Sequence, residues 1–318
     1  MIFLRDTPEA LMVIARSAFL LWLFFLLCGT ALSQFPNPTP TPTPRPGSRA
    51  ANLPAVVRDN ASYDRLRDIE ATTDKTFIPN HPLLDRKTGI YRKPSREESA
   101  VLAVSETLLK EFEGFLKAPD TGIVKFNGDS SCISSVEVVN VNERCASFKM
   151  PGAGTAFSFR IEGYRLPRLA DLILFNGTFR ADAVLQHVAM VELGNVAIGD
   201  VDLGSAGLKY LVDLQPTRDG DKFLQYDGEL TLGISANGYL YRKGHPVKPD
   251  TTYALRSIAY RGKYLQAVDN ITYDELDFDR RRDVIVVFRV VQAEDSGNVT
   301  ILWKRLKDVE APKLNIKK

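Results

Sequence analysis

The chain has 318 residues, of which 44% are hydrophobic and 25% charged, with 41 Lys and Arg against 39 Asp and Glu and a formal net charge of +2. This balance leaves no basic stripe for a nucleic acid, and the apolar content is enough for one large domain or two small ones with a sizeable core. The longest basic run, Arg280-Arg281-Arg282, is flanked by Asp277, Asp279 and Asp283, so it is no phosphate-binding surface either.

The first element is a targeting segment over residues 1–33. An unbroken apolar run, Ala18 to Leu27, follows Arg5 and Arg16, and Ala31-Leu32-Ser33 supplies small residues before Gln34. Basic flank, short apolar stretch and small-x-small site predict a cleaved secretory signal. The run is shorter than the roughly 20 residues of a spanning helix, so an uncleaved anchor is the alternative and the chain's one route into a membrane. A lipoprotein reading through Cys28 is disfavoured by Leu27, where a small residue is wanted. Residues 34–50 form a Pro/Thr spacer. Pro alternating with Thr excludes helix and sheet interior, and as polyproline II the stretch Pro36 to Ser48 reaches roughly 40 Å. This arm resembles those of bacterial envelope proteins, and it implies an exported protein, periplasmic, cell-surface or secreted.

Residues 51–94 are polar and rich in turn formers, and they read as an irregular, partly ordered segment. A helix is predicted next. Ser95-Arg96-Glu97-Glu98 fits a capping box, and Val101, Val104, Leu108, Phe112 and Phe115 recur at helical spacing as far as Lys117. Its apolar stripe is expected to pack on the sheet that follows. From Gly122 the pattern turns to short β-rich runs between Gly, Asn, Asp and Pro clusters. Strands are expected at Gly122–Asn127, Ser135–Val141, Ala156–Ile161, Asp171–Phe175, Val184–Leu193, Lys209–Leu214, Glu229–Ile234, Tyr239–Arg242, Thr252–Tyr260, Asp283–Gln292 and Asn298–Lys304. The last two flank a polar turn, Glu294 to Asn298, and give the strongest hairpin signal. The expected fold is mainly β, a β-sandwich or partly closed barrel of antiparallel strands with one N-terminal amphipathic helix packed on it. Residues 95–318 form this domain, and Pro216 to Lys222 is the candidate subdivision point.

Chemistry is less legible. Cys132 and Cys145 are the two cysteines of the mature chain, and export places them where a disulfide persists. Ser205 and Ser235 sit near G-x-S-x-G patterns and miss them, at Leu203 and Asn237 respectively. His81, His187 and His245 show no zinc spacing, and His187 lies inside an apolar strand, the setting of a structural imidazole. Asp200 and Asp202, and Asp274, Asp277 and Asp279, are paired or clustered carboxylates. They are the candidate metal ligands, with Ca²⁺ as the fitting ion, although neither stretch has an EF-hand frame and a solvated loop is the simpler reading. Asp202 and Asp277 are also candidates for glycoside acid–base work. Tyr239 and Tyr241 share one face of a strand by period two and are the candidate ligand-binding residues, as a platform for sugar rings; cross-strand packing is the simpler alternative. The sequons at Asn60, Asn176, Asn270 and Asn298 are read as coincidental. Together these features predict an exported, non-enzymatic β-rich module that binds a glycan or a protein surface. The alternative is an exported glycoside-type hydrolase using paired carboxylates.

Overall fold

A computed structural model describes residues 96–315, apart from 134–144, 146–147, 149 and 269–270. The targeting segment, the spacer, the irregular segment, Ser95, His81, the strand expected at Ser135–Val141 and the sequons at Asn60 and Asn270 lie outside the described residues. Within them the fold is mainly antiparallel β, built from sheets, with no closed barrel.

Short helices open the described chain: α1 (Arg96–Ala100), α2 (Glu106–Glu111) and α3 (Glu113–Leu116). The helical span is divided because Ser105 starts a new helix, its side chain accepting from Leu108 N–H. Phe112, Phe115 and Leu116 pack against the core cluster on the outer face of the first sheet.

That sheet has five strands in the order β1 (Thr121–Phe126), β14 (Val299–Glu310), β13 (Arg282–Ala293), β10 (Thr252–Ala259) and β6 (Gln186–Gly194). Every pairing is antiparallel. The hairpin expected near the C-terminus is β13–β14, with Phe288 opposite Trp303. The second sheet has the order β3 (Gly163–Tyr164), β2 (Ala156–Ser158), β4 (Leu172–Phe175), β5 (Thr178–Arg180) and β9 (Gly244–Pro246).

One cluster joins the two sheets. It combines Phe157, Phe159, Leu174 and Phe179 of the second sheet region with Phe126, Tyr253, Phe288 and Trp303 of the first. The run Val284 to Val287 is apolar throughout because both faces of β13 are covered. Val284 and Val286 point into this inter-sheet core, while Ile285 and Val287 point the other way. The outer layer that meets them contains α4 (Lys209–Asp213), α5 (Gly220–Leu232) and the hairpin of β7 (Ile234–Ala236) and β8 (Tyr239–Tyr241). A further hairpin pairs β11 (Leu265–Val268) with β12 (Ile271–Asp274). Cys132 and Cys145 are joined in a disulfide and buried beside Ala153.

Two expected strands are corrected. Lys209–Leu214 is helix α4, and Glu229–Ile234 is the last turn of α5, a Gly233 stop at φ 97°, and the first residue of β7. The stretch Pro216 to Lys222, read as a boundary loop, holds the cap of α5. Asp219 accepts from Asp221 and Lys222 N–H, and Phe223 and Leu230, seven residues apart, are buried on one side of the helix.

Candidate functional site

Helix α5 forms one wall of a concave surface with a mixed lining. Lys222, Gln225, Tyr226 and Glu229 stand at i, i+3, i+4 and i+7, so one helix face carries them while the adjoining face is anchored by Phe223 and Leu230. Facing this stripe is the segment Leu214 to Thr217, with Ile258 and Tyr260 beneath. The cleft between them has a volume of about 350 Å³. Its position is set by α4, whose last carbonyls at Leu211 and Leu214 accept from the buried Arg256 guanidinium, itself paired with Asp283. The C-terminal segment supports the same wall: Asn315 N–H donates to Arg218 carbonyl, and Gly220 N–H to Asn315 carbonyl.

Under the floor lies His187. Its ring stacks on Phe223 with centroids 4.1 Å apart, and its Nε2 is 2.9 Å from the Phe223 carbonyl oxygen. A carbonyl only accepts, so Nε2 carries the proton and Nδ1 accepts the Tyr260 hydroxyl at 3.1 Å. Burial lowers the imidazole pKa to about 4, with a smaller contribution from Lys243, against the opposing pull of the Phe223 carbonyl. Tyr260 and Tyr226 are both pushed up by burial, so both phenols stay protonated. The Tyr226 hydroxyl meets that of Tyr210 at 2.8 Å. Every titratable group at the base is thus held neutral and already paired. Among the lining residues Glu229 is the one carboxylate. The arrangement offers hydrogen-bonding groups around Leu214, Pro216 and Ile258.

The sequence-derived candidates fall elsewhere. Tyr241 is fully buried, its hydroxyl bonded to the Gly207 carbonyl and its ring 4.4 Å from that of Tyr210. Tyr239 is half-buried in the same cluster. The two do share a face, but it is the packed one, so they form no exposed platform; the residue β8 exposes is Leu240. Asp200 and Asp202 are exposed, and Asp202 accepts from Gly204 N–H and the Ser205 hydroxyl, which holds it below the usual carboxylate range. Asp274 caps a short 3₁₀ turn through Leu276 N–H, and Asp277 is exposed beside it.

Asp279 is the least expected of the set. Its carboxylate is buried between Arg160 and Arg281. Burial alone would raise its pKa, but the two guanidiniums more than offset this and hold it low. Arg160 also donates to Asp171, which accepts from Ser158, Gln186 and Ser257 as well, so an ionic network fills the end of the inter-sheet core. Among the described residues no group of three His, Cys, Asp or Glu is placed to hold a metal ion. Asp279 has guanidiniums for partners, and Asp202 spends an oxygen on its own turn.

No protein-family model, curated protein or solved structure matches this chain. Sequence reasoning missed Lys222, Gln225, Tyr226 and Glu229 because the turn-forming Asp219-Gly220-Asp221 hid a helix start. The signal was present in Phe223, Tyr226 and Leu230 at helical spacing. Among the described residues no helix is long and apolar enough to cross a membrane.

Proposed function

We propose that the chain is an exported, non-enzymatic module, envelope-associated or secreted, whose β-rich body binds a glycan or a protein surface. We read residues 1–33 as the signal, residues 34–50 as a stiff spacer and the two facing sheets as a β-sandwich. The observation that carries this reading is the α5 cleft, where two amides, an ammonium, a carboxylate, a hydroxyl and two phenols surround Leu214, Pro216 and Ile258. Convergent polar groups over an apolar floor are the usual make-up of a binding site. Glycoside cleavage needs two carboxylates across the scissile bond, and the cleft wall has one.

The test uses the full chain on a glycan array and on a panel of immobilised envelope and extracellular proteins. Binding without product release, weakened by Gln225→Ala and Glu229→Gln, supports the module. Polysaccharide turnover abolished by Asp202→Asn or Asp277→Asn would overturn it in favour of the hydrolase. Export has its own measurement: the N-terminus of the protein recovered outside the cytoplasm is expected at Gln34.

A further inference from the structure

We infer that the α5 cleft takes an extended peptide segment carrying opposite charges at its two ends, an inference that rests on the binding-module reading above. Three observations support it. The first is the open backbone of one wall. Leu214 has φ −55° and ψ 122°, and Pro216 restricts Gln215 to the extended region. Gln215 is exposed, and among the described residues neither its N–H nor its carbonyl has a hydrogen-bond partner. Such a stretch can pair with the main chain of an added strand, and main-chain pairing is the common source of affinity for extended peptides.

The second is the charge pattern on the other wall. Lys222 and Glu229 are seven residues apart, so they stand roughly 10 Å apart along the helix axis. Three residues of extended chain span the same length at about 3.3 Å each. An acidic group facing Lys222 and a basic group facing Glu229 therefore match one short extended segment lying along the cleft.

The third is the placement of these charges relative to the helix itself. Lys222 lies in the first turn of α5 and Glu229 near its last turn, where no basic residue is found. A helix dipole favours the reverse arrangement, acid at the start and base at the end. Glu229 gains an i,i+4 bond from Gln225 Nε2, but the order of the two charges along the axis is not one that the dipole favours. A ligand with complementary ends accounts for that order. Glu229 accepts from Gln225 Nε2 at 2.9 Å and keeps a free oxygen for a ligand, whereas a neutral glycan would leave Lys222 and the Gln215 backbone without a role.

Fluorescence anisotropy of the full chain with labelled tetrapeptides tests this. One probe is acetyl-Glu-Val-Thr-Lys-amide, a second has the terminal charges exchanged, and a third has Gln at both ends. One charge order is expected to bind more tightly than the neutral probe. Lys222→Glu or Glu229→Lys alone should weaken that order roughly tenfold, the scale that exchanging attraction for repulsion at exposed pairs allows. The double exchange Lys222→Glu with Glu229→Lys should transfer the preference to the other probe. It should also leave the thermal unfolding midpoint unchanged or raised, because the exchanged charges agree with the dipole. Equal binding of all three probes, or no transfer of preference in a folded double variant, would overturn the inference. Chitotetraose or cellotetraose binding that is lost in Gln225→Ala, with no peptide bound, would also overturn it while sparing the module reading. Failure of every peptide and glycan probe would remove both.

Discussion

Mild acid should destabilise this fold through His187 before its carboxylates are protonated. The imidazole is buried, stacked on Phe223 and bonded at both nitrogens, and it is held neutral with a pKa of about 4. In the unfolded chain the same ring titrates near 6.5. Between these values the unfolded state binds a proton that the folded state does not. Stability is therefore complete above about pH 6.5 and falls as the pH drops towards about 4. Integrated from pH 7.5 to pH 4.5, the loss is about 2–3 kcal/mol. The assay is urea unfolding at intervals across this range for the wild type and for His187→Gln. The variant starts lower, because it forfeits the stacking on Phe223, but it lacks the titrating ring. The gap between the two proteins should narrow by about 2–3 kcal/mol towards pH 4.5. His245, also lowered by burial, acts in the same direction in both proteins and cancels in the comparison. Parallel stability profiles for the two proteins would refute the reasoning, since they would mean that His187 is not held neutral by the fold.

Other outcomes follow from the core. Asp171→Asn keeps the shape of the side chain but places an amide among the donors of Arg160, Ser158, Gln186 and Ser257; the expected cost is about 3–5 kcal/mol, read as a lower urea midpoint at unchanged m value. Protonation of Asp279, whose pKa is lowered by Arg160 and Arg281 against the opposing effect of burial, should add a separate loss below about pH 4, and Asp279→Asn should abolish that acid phase. Thiol titration of the unfolded, unreduced protein should find neither Cys132 nor Cys145 reactive, and replacing both with Ala should cost about 3 kcal/mol for a loop of this length. Gly128→Ala should cost about 1–3 kcal/mol, because the new Cβ would lie 2.2 Å from the Gly297 backbone and must separate two loops joined by the Gly128 N–H to Asn298 bond.

The sequence by itself determined the β-rich character of the body, the pairing of the last two strands and the partner of Cys132. These rest on local quantities: unbroken β-branched runs such as Val284 to Val287, a polar turn after them, and two cysteines downstream of the N-terminal apolar run. Tertiary structure decided the rest. Lys209–Asp213 and Gly220–Leu232 are helical because Leu211, Phe223 and Leu230 bury against the first sheet, and short apolar spacing alone does not separate that outcome from strand. Asp279 looks solvated beside Arg280 to Arg282, yet it is buried because Arg160, more than a hundred residues earlier, reaches it from the second sheet region. Tyr239 and Tyr241 share a face in any strand, but only the layer formed by α4 and α5 makes that face an interior one. The cleft exists for the same reason. Its walls come from Leu214 to Thr217 and from α5, and its floor from Ile258 and Tyr260. These segments become neighbours only when the helices dock on the sheet, because proximity across a fold depends on burial that no single segment can supply.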